Sequence, residues 1–338
     1  MIIIERGDFL WETGDWAAAL ELRFGWATLP AAVATLTDIV YTNYGLEIQR
    51  IERLAISAAN AVVWLATDGG RFILKLCANH KYHSWLAMRM NLVAWLGAQD
   101  FPVAKIMSSK NNLKQIAMAS YSVSLQQMVD GEHLDATNLS QAKQAGAALA
   151  RLHQTWAQYP ALPDFAPAVS STDLLRADVL QTCDDLAMWL DTLADPTAPM
   201  LLETLNRIKH RWATSDLQAL PQGLCHHDFR AANLLFKDDE LRAVLDFEDV
   251  RWGFWVRDLA WATVHLGTLF RDWGLVALAT ETAFVVGYTT HRSLIEAEHT
   301  ILPTLLALDT ISLARATNDE AQRRISLEWA RDLAFTLD

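Results

Sequence analysis

Three cysteines are too few and too scattered for a structural role. Cys77, Cys183 and Cys225 are odd in number and widely spaced, which excludes a disulfide framework and a clustered zinc site and leaves reduced thiols. Positive charge is also scarce, with 28 Lys and Arg against 40 Asp and Glu and a net charge of -12. Nonspecific attraction to nucleic acid or to an anionic membrane surface is therefore not expected, whereas a cationic small substrate would be tolerated. No uninterrupted apolar run approaches the roughly 20 residues that span a bilayer. The opening "MIIIERGDFLWETGDW" lacks a basic stretch and meets acidic residues early, so it does not read as a signal peptide. There is no internal repeat and no low-complexity segment. The expectation is a cytoplasmic protein.

What is present describes a folded chain with ample core: 338 residues, 52% hydrophobic, 20% charged, with 14 tryptophans. That length accommodates two modest domains. Residues up to about 40 read as helical, with apolar residues of "LPAAVATLTDIVYTNYGL" at helical spacing. The period then shortens. "AVVWLAT" and "RFILKLC" flank "DGG", a strong hairpin signal. A helix is expected over about 84–97, followed by short strands through "YSVSLQQMV". "DGE" at 130–132 reads as a connecting loop, which divides the chain into a first part, 1–129, and a second, 130–338. From residue 138 the pattern is mostly helical, broken by proline-containing loops.

One stretch departs from that pattern. "CHHDFRAANLLF", residues 225–236, sets two histidines, an aspartate, an arginine and an asparagine directly before an apolar strand. "NLLF", "KDDE" and "LRAVLDF" make a second hairpin. If its turn centres on Asp238 and Asp239, Phe236 faces Leu241, Asn233 lies near Val244, and Asp246 follows about 7 Å further along. The hairpin thus brings Asn233 and Asp246 to one end, with Asp228 just upstream. Oxygen-bearing side chains gathered in this way suit a hard cation such as Mg²⁺, which takes one or two carboxylates and fills its shell with phosphate and water. Taken singly, Asp228 would read as a turn cap and Asn233 as a loop tie. An unpartnered Asp246 after "AVL" would be costly to bury, so a partner or a metal is expected there.

Three motifs in order resemble a known family. "HHDFRAAN" supplies His226, Asp228 and Asn233, "LDFEDVRWG" supplies Asp246, Phe247 and Glu248, and "RDLAW" supplies Arg257 and Asp258. They resemble the catalytic loop, the metal loop and a later Asp-Leu-Ala of the aminoglycoside phosphotransferase and choline kinase family of small-molecule kinases. The resemblance implies an α+β, two-lobed protein-kinase-like fold, with a β-rich N-terminal lobe and a mainly helical C-terminal lobe. It implies Asp228 as catalytic base, Asn233 and Asp246 as Mg²⁺ ligands, and His226 as a support for the loop. Lys75 on "RFILKLC" looks like the contact to the ATP phosphates. "ISAAN", with Ser57 and Asn60, stands at the phosphate-covering loop, and Met128 and Val129 at the hinge that meets adenine. His227 occupies a position where many relatives carry glycine. Arg257 and Asp258 are expected to pair.

One departure from the fold's pattern is plain: residues 78–99 contain no Asp or Glu to orient Lys75. The expected activity is ATP- and Mg²⁺-dependent phosphoryl transfer to a hydroxyl of a small, amine-bearing acceptor such as an aminoglycoside, choline-like or homoserine-like molecule. Glu296, Glu298 and Asp309 are candidates to meet that amine. The alternative is a catalytically weak nucleotide-binding or interaction protein on a kinase-like scaffold. A protein-directed kinase is unsupported, because the glycine-rich loop and the Ala-Pro-Glu segment are missing.

Overall fold

The computed structural model describes residues 2–57, 60–167 and 171–334. Ala58 and Ala59, the middle of the "ISAAN" segment, lie outside them. Two compact units divide the chain, Met1–Asp130 and Gly131–Asp338.

The first unit is built on a six-stranded sheet. Its elements are β1 (Gly7–Phe9), α1 (Trp16–Phe24), α2 (Leu29–Tyr44), β2 (Ile48–Ser57), β3 (Asn60–Thr67), β4 (Gly70–Cys77), α3 (His83–Ala98), β5 (Ile116–Ala117) and β6 (Ser122–Gln127), and the strand order is β1-β2-β3-β4-β6-β5. Every pairing is antiparallel except β1 with β2. The β3–β4 hairpin forms where the Gly-containing turn predicts it, with Thr67 facing Gly70. Alternation decides which face is buried. Ala61, Val63 and Leu65 point into the core, while Val62 and Trp64 stay partly exposed. Ala32, Leu36, Ile39 and Val40 of α2 fall on one helical stripe and bury in the same cluster. Burying each of Leu36, Ile39 and Val40 contributes about 2 kcal/mol.

The start of the chain is not helical throughout, as its apolar spacing suggests. Residues Gly7–Phe9 add a short parallel strand to β2, and Trp16 lies where a Cβ at Gly7 would stand, 2.0 Å from that position. The helices begin at α1, where the Asp15 carboxylate accepts from the backbone of Ala17 and Ala18, and at α2, where Thr28 accepts from Ala31. Both end on left-handed glycines, Gly25 and Gly45.

The second unit is mainly helical: β7 (Glu132–His133), α4 (Leu139–Trp156), α5 (Ser171–Leu190), α6 (Ala198–Thr214), β8 (Gln222–Cys225), β9 (Leu234–Lys237), β10 (Glu240–Val244), β11 (Arg251–Phe254), α7 (Trp255–His265), α8 (Leu278–His291), α9 (Glu296–Ala316) and α10 (Glu320–Ala334). Two small sheets, β10-β9-β7 and β11-β8, sit among the helices. The loop at 130–132 accordingly runs straight into β7. α4 and α8 touch backbone to backbone. A Cβ on Gly146 would lie 1.9 Å from the carbonyl oxygen of Phe284, and one on Gly287 1.9 Å from that of Lys143. Only glycine fits at either place. No described helix is long and apolar enough to cross a membrane.

Candidate active site

The segment between β8 and β9 contains Asp228 and is held from below by one carboxylate. Asp258, in the first turn of α7, accepts hydrogen bonds from the backbone N–H of His226 at 2.8 Å and of His227 at 2.9 Å. His153 of α4 donates to it from Nε2 at 2.9 Å. All three partners are needed, because Asp258 is completely buried. Burial pushes its carboxyl up, but the bond from His153 and the backbone donors outweigh this and hold it well below the ordinary carboxylate range. The network runs on: His153 Nδ1 meets the Tyr288 hydroxyl at 2.9 Å, Arg292 donates to that hydroxyl at 3.2 Å, and Arg292 grips Glu298 with two bonds of 2.8 and 2.9 Å. Burial holds His153 neutral, with its pKa lowered, so it donates to Asp258 and accepts from Tyr288.

His227 takes a left-handed backbone, with φ of 62°, and so does Asp246, at 60°. Non-glycine residues seldom do so, and such conformations persist where surrounding bonds enforce them. For His227 the enforcing bond is its N–H to Asp258. Burial pushes the His227 imidazole down to about 3, so it is neutral. His226 is a support, with Nε2 on the carbonyl of Leu245 at 3.1 Å and Nδ1 accepting from the N–H of Asp228 at 3.3 Å.

Asp228 is gripped from two sides. Arg230 Nε donates to Oδ1 at 2.6 Å, and Asn233 Nδ2 donates to Oδ2 at 2.6 Å and to the Asp228 carbonyl at 2.8 Å. Arg230 is anchored in turn on the carbonyl of Leu269 at 3.0 Å and against the Trp273 ring. The Asp228 carboxyl is pushed up by burial, opposed by Arg230, and pushed up again by the nearby charge of Asp246. With Nδ2 committed, the Oδ1 of Asn233 faces no donor among the described residues and is a suitable hard ligand. The hairpin delivers Asn233 and Asp246 to one end, with an adjustment of register. Phe236 faces Leu241 as expected, but a bulge between Leu241 and Ala243 sets Val244 against Leu234. Leu245 then bonds the carbonyl of Asn233, and Asp246 follows immediately.

The remaining expected residues belong to the first unit. Lys75 is half-buried on β4, between Val62 of β3 and Ser124 of β6, so its strand is central and its charge is not an edge device. Ser57 and Asn60 face each other at the ends of β2 and β3. Met128 and Val129 follow β6, and the Met128 N–H is already committed to the carbonyl of Arg71 at 3.0 Å. The "MRMN" stretch of α3, where an orienting carboxylate would stand, buries Arg89 instead.

Two sequence expectations give way. Arg257 does not bond Asp258; it pairs with Asp309, and Asp258 holds the loop. Glu298 and Asp309, considered as partners for an acceptor amine, are both buried and ion-paired, leaving only Glu296 exposed. Adjacent charges in sequence pointed to the wrong partner because successive helix residues face different directions. Arg230 and His153 had no assigned role. Arg230 lay inside a recognised motif, but nothing local marked His153, whose partners are more than 100 residues away.

The chain has known counterparts. Residues 50–293 match the Phosphotransferase enzyme family. A homoserine kinase from Phenylobacterium zucineum (strain HLK1) is 24% identical over 257 residues, 75% of this chain and 74% of that protein. Among solved structures, the amicoumacin kinase hAmiN in complex with AMP-PNP, Ca²⁺ and Ami superposes with a TM-score of 0.62 at 16% identity, covering 90% of this chain and 93% of that one. Spectinomycin phosphotransferase APH(9)-Ia, in complex with ADP and spectinomycin, gives a TM-score of 0.62 at 12% identity, covering 90% and 98%. The fold is therefore kinase-like, with a β-rich first unit and a mainly helical second one. The chain belongs to the phosphotransferase enzyme family and is a small-molecule kinase.

Proposed function

We propose that this enzyme transfers the γ-phosphoryl group of ATP, with Mg²⁺, to a hydroxyl of a small, amine-bearing molecule. The observation that carries the reading is the grip on Asp228. Arg230 and Asn233 each occupy one of its carboxylate oxygens while Asp246 stands close by. A carboxylate so oriented is fitted to accept the proton of an attacking hydroxyl. Asn233 and Asp246 would hold the metal, which would neutralise charge on the phosphates as transfer proceeds. Lys75 would contact the α- and β-phosphates, Ser57 and Asn60 would lie beside them, and Val129 with the carbonyl of Met128 would meet adenine. Nucleotide complexes of the amicoumacin and spectinomycin enzymes support ATP as the donor. A cytoplasmic location fits a reaction that draws on ATP.

The test is calorimetric titration with ATP, with and without Mg²⁺, followed by transfer assays on two variants. Asp228→Asn is expected to abolish transfer while keeping Mg·ATP binding, and Asp246→Asn to weaken the Mg²⁺-dependent part of that binding. Wild-type transfer by both variants would defeat the assignment. The absence of acidic residues from α3 favours a second reading, a weak catalyst on a kinase scaffold. Failure to bind millimolar ATP would select it.

A further inference from the structure

A cavity of about 530 Å³ lies within the second unit, bounded by β11, α5 and α7. It touches His227, the neighbour of Asp228 in the chain. The volume falls in the range of ligand sites, roughly 300–1,000 Å³, and exceeds the needs of an unadorned small alcohol. Trp252, Phe254 and Trp261 form its apolar wall. Two of these rings are fixed in place. Trp252 donates to the Gln222 side chain at 3.3 Å, and Trp261 stacks on His265 with centroids 4.3 Å apart.

The charges on the wall are unevenly answered. Arg257 is paired with buried Asp309 and feels the charges of exposed Asp178 and of buried Asp258. Among the described residues only Asp309 pairs with it, so Asp178 keeps its carboxylate exposed on the wall. His227 is neutral and contributes no charge. Arg251 is exposed at the head of β11, and the only hydrogen bond of its guanidinium among the described residues is a 3.5 Å approach to the carbonyl of Asp249. A planar guanidinium without a carboxylate, set beside aromatic walls, is the arrangement that binds an incoming carboxylate through two parallel N–H donors.

We infer that this cavity binds the phosphoryl acceptor, and that the acceptor carries a carboxylate, held by Arg251, on a ring-bearing body that lies against Trp252 and Trp261. Its amine would face Asp178, the exposed acid of the same wall. The class is a ring-bearing hydroxy amino acid or a larger molecule that includes one. The inference rests on the kinase reading for the hydroxyl's fate but not for binding, so the two fail separately.

The experiment is calorimetric titration of the full chain with β-phenylserine and its carboxamide, and with homoserine and homoserinamide as the pair without a ring. Each carboxylate is expected to bind at least about tenfold more tightly than its amide, the gain of a charge-assisted contact. That ratio should fall to about one in Arg251→Gln and persist in Asp228→Asn, while β-phenylserine should bind more tightly than homoserine. Equal binding of acid and amide, a ratio that survives in Arg251→Gln, tighter binding of homoserine than of β-phenylserine, or no binding of any probe would overturn the inference. Loss of phosphoryl transfer with the binding pattern intact would count only against the kinase reading.

Discussion

Replacing Asp258 with asparagine keeps the shape of the side chain and removes its charge. In the native protein its two oxygens take three donors, at 2.8, 2.9 and 2.9 Å, two of them buried and the third, from His227, partly buried. Asparagine offers one oxygen and presents an NH₂ where the other stood, so at least one donor must face another donor. A buried donor left unsatisfied costs about 1–3 kcal/mol, and losing a buried charged acceptor raises the total to about 3–5 kcal/mol. For a chain with stability of order 5–15 kcal/mol that is a large fraction. The consequence also depends on pH. Asp258 is held below its ordinary value, so its contribution is complete above the unfolded pKa near 4 and is lost as pH falls through the folded value. Denaturant titration at pH 7 should show the full deficit of Asp258→Asn, and the gap from wild type should narrow only below about pH 4. A deficit under about 1 kcal/mol at pH 7, or a gap that narrows between pH 7 and 5, would refute the argument.

Two further outcomes follow from the same geometry. Arg230→Gln removes the cation that opposes the upward push on Asp228, so the acid limb of the kcat/KM profile should move to higher pH, together with a lower kcat; an unmoved limb would separate Arg230 from the base. Gly146→Ala should destabilise the protein by about 3 kcal/mol or more, because its Cβ would meet backbone, which cannot swing aside as a side chain can; an unchanged Tm would show that α4 and α8 can part cheaply.

The parts of the fold that are legible in the sequence are those written in short-range pattern. The β3–β4 turn, the stripe on α2, the limits of α3 and the β9–β10 hairpin all follow from local spacing and turn residues. Short strands that no turn joins to their partner carry too little pattern, and β1 and the β8–β11 pair escape detection for that reason. The bulge at Leu241–Ala243 displaces the register by one residue, because Arg242 is left over between paired neighbours. In the site, Asp228, Asn233 and Asp246 stand out because their spacing is local. The clamp beneath them does not, since His153, Asp258, Tyr288 and Arg292 meet only when three helices come together.

Asp258 grips peptide nitrogens rather than the side chains of residues 226 and 227, and this has a consequence for variation. Any residue but proline can supply an N–H, so the clamp on Asp228 asks of position 227 only a backbone that accepts the left-handed φ of 62°. Arg251, Trp252 and Trp261, on the wall at the other side of that residue, take no part in the clamp. Single substitutions can therefore reshape that wall without disturbing the bonds that place Asp228.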